Sequence, residues 1–195
     1  MEDLVADLPF PDWASESLLR APFVVVRRAE VKNGLIPVGI RGPQRGQRMA
    51  CWFPEKLVEE IITPFSLTDD KNWKAAYTTS APATIKSLQK IISLMKNMGY
   101  QWGPTGSTGF ELATGMPTLK ESSDLDLIIE VPEILSVKTA KLLLDRMEDI
   151  STVRLDVQLN TALGGVSMKE YTTSAKVLIK TATGPVLQDP QSLWN

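Results

Sequence analysis

The hydrophobic positions of the C-terminal half alternate between helical and strand spacing. Apolar residues at intervals of three and four predict a helix from about Pro82 to Met98, with Gly99 as its stop, and a second helix over Val137 to Asp149. Between and after them the period changes to two, which predicts strands in DLDLIIEV (124–131), VRLDVQL (153–159) and KVLIKT (176–181). Ser167 and Glu170 have the spacing of a capping box, which predicts a short helix between the last two strands.

The N-terminal half has a weaker pattern. FVVVRRA (23–29), a turn at Asn33-Gly34 and LIPVGI (35–40) predict a β-hairpin, and the spacing in PEKLVEEIITP (54–64) predicts a helix that ends before Pro64. Residues 66–80 are polar and mixed, and we place a domain boundary near Tyr77 to Ser80. The prediction is an α+β protein with a smaller N-terminal α+β domain, residues 1–78, and a catalytic domain, residues 79–195.

The composition removes several kinds of enzyme. The 195 residues include no histidine, which excludes Ser-His-Asp and Cys-His nucleophile systems, histidine bases and nearly all catalytic zinc sites. The single cysteine, Cys51, excludes a disulfide framework and multi-cysteine metal sites. An enzyme of this composition must therefore work with carboxylates, Lys and Arg, hydroxyls or a hard cation.

Charge is distributed unevenly along the chain. Between Arg20 and Arg48, seven basic residues against one acid give a local charge of +6, which leaves −8 for the remainder of a chain whose net charge is −2. The overall acidity argues against a nucleic-acid partner. We expect a cytoplasmic chain that does not enter a membrane, because no apolar run is long enough to span one and the first residues carry acids where a secretory signal carries bases.

The strand at 124–131 carries two acids on one face. Asp124 and Asp126 stand two residues apart, so their carboxylates project in the same direction and repel each other unless a cation lies between them. Asp156 would complete a group of three carboxylates if its strand pairs beside the first. Oxygen ligands of this kind suit Mg²⁺. The alternative is structural: the pair faces water at a strand edge, and Asp156 pairs with Arg154 or another base.

Gly106-Ser107 precedes this strand by some 17 residues. A glycine turn with exposed backbone N–H groups and a hydroxyl is a local site for a phosphate, although most Gly-Ser pairs are ordinary turns. The order of helix, Gly-Ser turn, Asp-x-Asp strand, helix and single-Asp strand resembles the nucleotidyltransferase superfamily of the DNA polymerase β type. The resemblance implies that fold for residues 79–195.

A closer resemblance lies in the surrounding residues. WGPTGSTGFELATG and SSDLDLIIE, with PVGIRGPQRGQRMA before them and GGVSMKEY and GPVLQDP after them, are similar to phosphoribosyl-dephospho-coenzyme A transferases. This family completes the acyl carrier protein of bacterial malonate decarboxylase. The resemblance covers about Trp13 to Trp194 and implies transfer of a phosphoribosyl-dephospho-coenzyme A group from its triphosphate donor to a serine of the apo carrier protein, with release of diphosphate.

The same resemblance implies roles for individual residues. Asp124 and Asp126 become the Mg²⁺ ligands, Asp156 becomes a third ligand or the base for the serine hydroxyl, and Gly106-Ser107 holds the triphosphate. The sequence leaves open two other functions. One is a nucleotidyltransferase that adenylylates a different acceptor, and the other is a nonenzymatic anion-binding or interaction module in which the carboxylates are structural.

Three arginines within eight residues form a separate candidate site. Arg41, Arg45 and Arg48 lie in a segment with two glycines and a proline, and they are candidates to bind the donor's phosphates or an acidic carrier-protein surface. The third possibility is a solvated loop. We favour phosphate contact because the segment is strongly basic and the substrate polyanionic. Lys120, just before the Asp-x-Asp strand, is a weaker candidate for the same role.

Overall fold

The computed structural model describes residues 3–44, 46–77 and 81–194. The chain divides into two compact units, one formed by Met1–Ile61 with Ala182–Gly184 and the other by Ile62–Thr181 with Pro185–Asn195. Both units contain helices and a sheet, in agreement with the predicted α+β class. Among the described residues, no helix is both long and apolar enough to cross a bilayer.

The first unit is a small sheet with one helix. Helix α1 (Asp12–Arg20) is followed by strands β1 (Val25–Val26), β2 (Leu35–Arg41) and β3 (Arg48–Pro54), which form an antiparallel sheet in the order β1-β2-β3. The core of the unit consists of Ala14, Val38, Ile40 and Cys51, with partly buried apolar residues around them. The Cys51 thiol is fully buried, and burial raises its pKa, so it is a packing group rather than a nucleophile.

The sequence prediction for this unit is partly wrong. The pairing of β1 with β2 is as expected, but β3 was not predicted, and the predicted helix at 54–64 is absent. Only Glu55–Leu57 forms a 3₁₀ turn there, and Val58 is extended. Leu57 and Ile61 are 40% and 74% exposed, so the apolar stripe has nothing to pack against, and so short a helix is unstable without packing.

The second unit is built on a six-stranded sheet. Its strands are β4 (Trp102–Pro104), β5 (Leu125–Glu130), β6 (Leu155–Asn160), β7 (Gly165–Ser167), β8 (Val177–Thr181) and β9 (Gly184–Gln188), in that spatial order. Its helices are α2 (Ala83–Met95), α3 (Gly106–Thr114), α4 (Val137–Ile150) and α5 (Met168–Thr173). The predicted helices correspond to α2, α4 and α5, and the predicted strands to β5, β6 and β8.

Burial alternates along β5 and separates the two faces of the sheet. Leu125, Leu127 and Ile129 are at most 1% exposed and belong to the same core cluster as buried residues of α2 and α4. The intervening residues of β5, which include Asp126, are only half-buried. The helices therefore cover one face of the sheet, and the polar residues of β5 lie on the other.

The segment 62–77 packs with the second unit, so the units divide between Ile61 and Ile62 rather than at residue 78. Trp73 is 5% exposed within the larger core. A 3₁₀ turn, Pro64–Thr68, lies so close to β4 that a Cβ added to Gly103 would stand 1.9 Å from the Pro64 carbonyl oxygen. This packing joins residues that are far apart in the sequence, such as Pro64 and Gly103, and the polar composition of 66–80 does not predict it.

Candidate active site

Two carboxylates lie side by side on neighbouring strands. β5 and β6 run parallel, and their register places Asp126 directly opposite Asp156. Directly paired residues of adjacent strands project from the same face, so both side chains lie on the side of the sheet away from the core. Asp126 is half-buried and Asp156 is exposed. The sequence analysis expected Asp156 to join the other acids if its strand pairs with theirs, and the two strands do pair.

Gly106 lies against Asp126 on the side opposite Asp156. Its φ is +59°, and a Cβ at this position would lie 1.8 Å from Asp126 Oδ2, so any side chain would collide with the carboxylate. The Thr105 N–H donates to the Asp126 carbonyl oxygen at 2.9 Å and fixes the distance between the two segments. Only glycine fits this left-handed, crowded position.

The predicted Gly-Ser turn is the first turn of a helix. Gly106 and Ser107 begin α3, and Ser107 is half-buried directly after the glycine that contacts the Asp126 carboxylate. The N–H groups of a helix's first turn have no partners within the helix and carry the positive end of its dipole. The structure thus brings Gly106, Ser107, Asp126 and Asp156 together, with backbone donors on one side of Asp126 and a second carboxylate on the other.

Asp124 is placed differently from the other two acids. It directly precedes β5, and its Oδ2 lies 3.6 Å from Arg154 Nε. The sequence alternative had assigned Arg154 to Asp156, so this pairing is a correction. Within the described ranges, no three carboxylate or thiol side chains are gathered closely enough to hold a metal ion by themselves. Asp124 is directed toward Arg154, and the acids that the strand register places opposite each other are Asp126 and Asp156.

The paired carboxylates are compatible with Mg²⁺. Magnesium in proteins is usually bound through one or two carboxylates, with the remaining positions taken by water and substrate phosphates. Asp126 and Asp156 supply such a pair, and the missing side chain of Gly106 lets the Asp126 carboxylate pack against the first residue of α3. The hard oxygen ligands favour a cation such as Mg²⁺, and the adjoining helix N-terminus favours the phosphate groups that such a cation carries.

Glu111 organises the surroundings of the site and was not predicted. It is 8% exposed in α3, and its Oε2 accepts the backbone N–H groups of Thr118 and Leu119 at 2.5 and 2.7 Å. Its Oε1 accepts the hydroxyl of Tyr77 at 2.8 Å. Burial, together with this hydrogen bond, raises the pKa of Tyr77, so the phenol remains a donor. Glu111 thus holds the start of the segment that leads from α3 to the Asp-x-Asp strand.

Removing this carboxylate should destabilise the second unit. We expect Glu111→Leu to lower the free energy of unfolding by about 3 kcal/mol, because three partly buried donors lose their acceptor. Urea denaturation followed by tryptophan fluorescence measures this change. The exposed Glu133→Leu is the control, with an expected change within about 0.5 kcal/mol. Equal effects of the two substitutions would contradict the assigned role.

The arginine segment lies in the first unit and forms the tip of a hairpin. Arg41 and Arg48 are directly opposite each other at the end of the β2–β3 ladder, and Arg45 lies outside the described residues. Like charges opposite each other in a sheet are destabilising unless an anion lies near them. Lys120 is exposed in the turn before β5, where its backbone exchanges hydrogen bonds with Ser123. Phosphate binding by these residues stays a prediction.

Comparison with known proteins matches most of the length of the chain. Residues 2–64 match the model of the phosphoribosyl-dephospho-CoA transferase MdcG N-terminal domain, and residues 69–191 match that of its C-terminal domain. No solved structure matches the chain.

Curated relatives agree with the family models. A phosphoribosyl-dephospho-CoA transferase of Azotobacter vinelandii is 38% identical over 91% of this chain and 84% of its own length. Enzymes of the same name from Pseudomonas putida and Klebsiella pneumoniae are 36% and 34% identical, over 95% and 88% of this chain and 86% and 82% of theirs. With both parts of the chain matched in order, and the paired carboxylates in the second, this protein belongs to the phosphoribosyl-dephospho-CoA transferase family.

Proposed function

We propose that this enzyme transfers the phosphoribosyl-dephospho-CoA group from its triphosphate donor to a serine of the apo acyl carrier protein of malonate decarboxylase. The family membership supports the donor, and the name of the matched family models supports the acceptor. The observation that carries the chemistry is the register of Asp126 and Asp156 beside the glycine that begins α3. We further propose a polymerase β-like nucleotidyltransferase fold for the second unit, and a cytoplasmic location.

The reaction is a displacement at phosphorus. The serine oxygen forms a bond to the phosphorus next to the ribose of the donor, and the bond from that phosphorus to the diphosphate oxygen breaks. The leaving diphosphate takes the electron pair, and the serine proton passes to a carboxylate. Asp156 suits this proton transfer, because it is the more exposed of the two paired acids and is accessible to an incoming hydroxyl.

The first turn of α3 would hold the departing phosphates. Gly106 and Ser107 begin this helix next to Asp126, and the helix dipole favours negative charge at its N-terminus. Mg²⁺ bound to Asp126 and Asp156 would neutralise the phosphate charge. We assign Asp124 as a further ligand, which requires its carboxylate to turn from Arg154. Transfer of this kind depends on positioning and on neutralised charge, so the lack of histidine is no obstacle.

The arginine pair supports a second contact with anions. Arg41 and Arg48 are held opposite each other on the β2–β3 ladder, an arrangement that a bound phosphate would stabilise. We assign Arg41, Arg45 and Arg48 to donor binding, with Lys120 in the same role.

Intact-mass analysis of the acceptor tests the proposal. The apo carrier protein is incubated with this enzyme, Mg²⁺ and either the triphosphate donor or ATP. We expect a mass increase equal to the phosphoribosyl-dephospho-CoA group with the first, no change with ATP, and no change when Mg²⁺ is chelated. Addition of an adenylyl group from ATP would instead identify an adenylylating enzyme. An unmodified acceptor in every reaction would contradict the proposal and favour the nonenzymatic anion-binding module.

A further inference from the structure

A cavity opens beside Asp156 on the side away from Gly106. Its volume is about 510 Å³, and it lies where β6 begins, between α4 and the start of α5. Apolar side chains form part of its wall, and charged groups form the rest. Its lining includes Leu144, Glu148, Val153, Arg154, Asp156 and Lys169. The volume is within the range of sites that bind small molecules or short segments of chain.

The order of the strands places this cavity opposite the phosphate-binding side. Gly106 and α3 follow β4 and meet Asp126 from that side, whereas Asp156 lies on β6, beyond Asp126. In a displacement at phosphorus, the entering and leaving oxygens lie roughly in line on opposite sides of the phosphorus. If the diphosphate departs toward α3, the serine oxygen must therefore arrive from the side of β6.

The lining suits a protein segment better than a further phosphate chain. Two carboxylates, Glu148 and Asp156, face the cavity and would repel a polyanion. The apolar groups of Leu144 and Val153 can cover a short stretch of backbone. Lys169 and Arg154 offer positive charge at the surface, because Lys169 is exposed and the Arg154 side chain is 75% exposed. They fit an acidic residue close to the serine.

We propose that this cavity is the acceptor site: it receives the surface segment of the acceptor protein that carries the serine, with an acidic side chain of that segment at Lys169. The inference rests on the proposed function and adds the place and direction from which the acceptor enters. Asp156 is part of the cavity's lining and is exposed, and in this proposal it meets the serine hydroxyl and takes its proton. The donor occupies the opposite side, at the first turn of α3.

Charge reversal at the mouth of the cavity separates acceptor binding from donor binding. Lys169→Glu adds a third carboxylate to the lining, and we expect it to weaken acceptor binding at least tenfold without changing donor affinity. Binding is measured by calorimetry with an acceptor whose serine is replaced by alanine, and separately with diphosphate and Mg²⁺. Lys176→Glu is the matched control, an exposed lysine outside the lining, and Lys169→Arg should restore acceptor binding.

The outcomes distinguish this inference from the proposed function. Lys169 is exposed, so the variant should fold, which its circular dichroism and melting temperature verify. Unchanged acceptor affinity in Lys169→Glu, or an equal loss in Lys176→Glu, would overturn the acceptor site. A loss of diphosphate affinity alone would assign the cavity to the donor and also overturn it. Wild-type transfer, measured in parallel, reports on the proposed function itself, which can hold when the cavity assignment fails.

Discussion

Asp126→Asn is expected to reduce transfer to the acceptor by about a thousandfold or more while leaving the fold intact. Asparagine has the same shape but carries no charge, and the position is only half-buried, so packing is preserved. Asp126 is the acid that the structure places both against the first residue of α3 and opposite Asp156. The rate is measured by intact mass under single-turnover conditions, and Mg²⁺ affinity by calorimetry should fall with it.

A matched control distinguishes the loss of a carboxylate in the site from the loss of a carboxylate elsewhere on the protein. Asp145→Asn makes the same change on the exposed face of α4, where the carboxylate pairs with Lys141 at 3.2 Å. We expect it to transfer at the wild-type rate, because exposed helical ion pairs contribute little. If Asp126→Asn kept wild-type rates and partner affinity, the carboxylates would be structural and the chain an interaction module.

The second large effect is expected at Gly106. A methyl group at this position would displace the Asp126 carboxylate, whose Oδ2 would lie 1.8 Å from the added carbon. Displacement of a reacting group by about 1 Å costs about a hundredfold in rate, so Gly106→Ala should lose at least that much. The left-handed backbone adds strain of about 1–2 kcal/mol, measured as a lower free energy of unfolding.

Gly115→Ala distinguishes the effect of backbone strain from the effect of a collision with Asp126. Gly115 ends the same helix with a φ of +71°, and an added Cβ there meets nothing within 4 Å. The two substitutions therefore carry similar strain, and only one of them touches the site. Gly115→Ala should lose stability and keep its transfer rate. Comparable rate losses in both variants would attribute the effect to α3 as a whole rather than to the contact with Asp126.

The elements that sequence predicted well are those with a strong local period. The stripes of α2 and α4 and the alternation in β5 pack into one core, so the local pattern and the tertiary structure agree. The pairing of Asp126 with Asp156 followed from strand spacing together with family resemblance. β3 was missed although Met49, Cys51 and Phe53 alternate along it, because the glycines and arginines before it suggested a loop.

The remaining features of the site depend on contacts between distant residues. Arg154 lies 30 positions from Asp124, and Tyr77 lies 34 positions from Glu111, so no local spacing reports either interaction. A glutamate within the apolar stretch FELAT was the one available signal for Glu111. The cavity beside Asp156 combines residues of α4, β6 and α5, which only the assembled fold brings together.

The parallel pairing of β5 and β6 has a consequence for how this enzyme matures. Antiparallel neighbours can form from a short hairpin, but parallel strands need a crossover, here the whole of α4. The two reactive acids are therefore far apart in any partly folded chain, and loop closure must precede their encounter. A nascent or proteolysed form that lacks α4 or β6 keeps the Asp-x-Asp motif but has no means of assembling the acidic pair, so competence arises only with the completed domain.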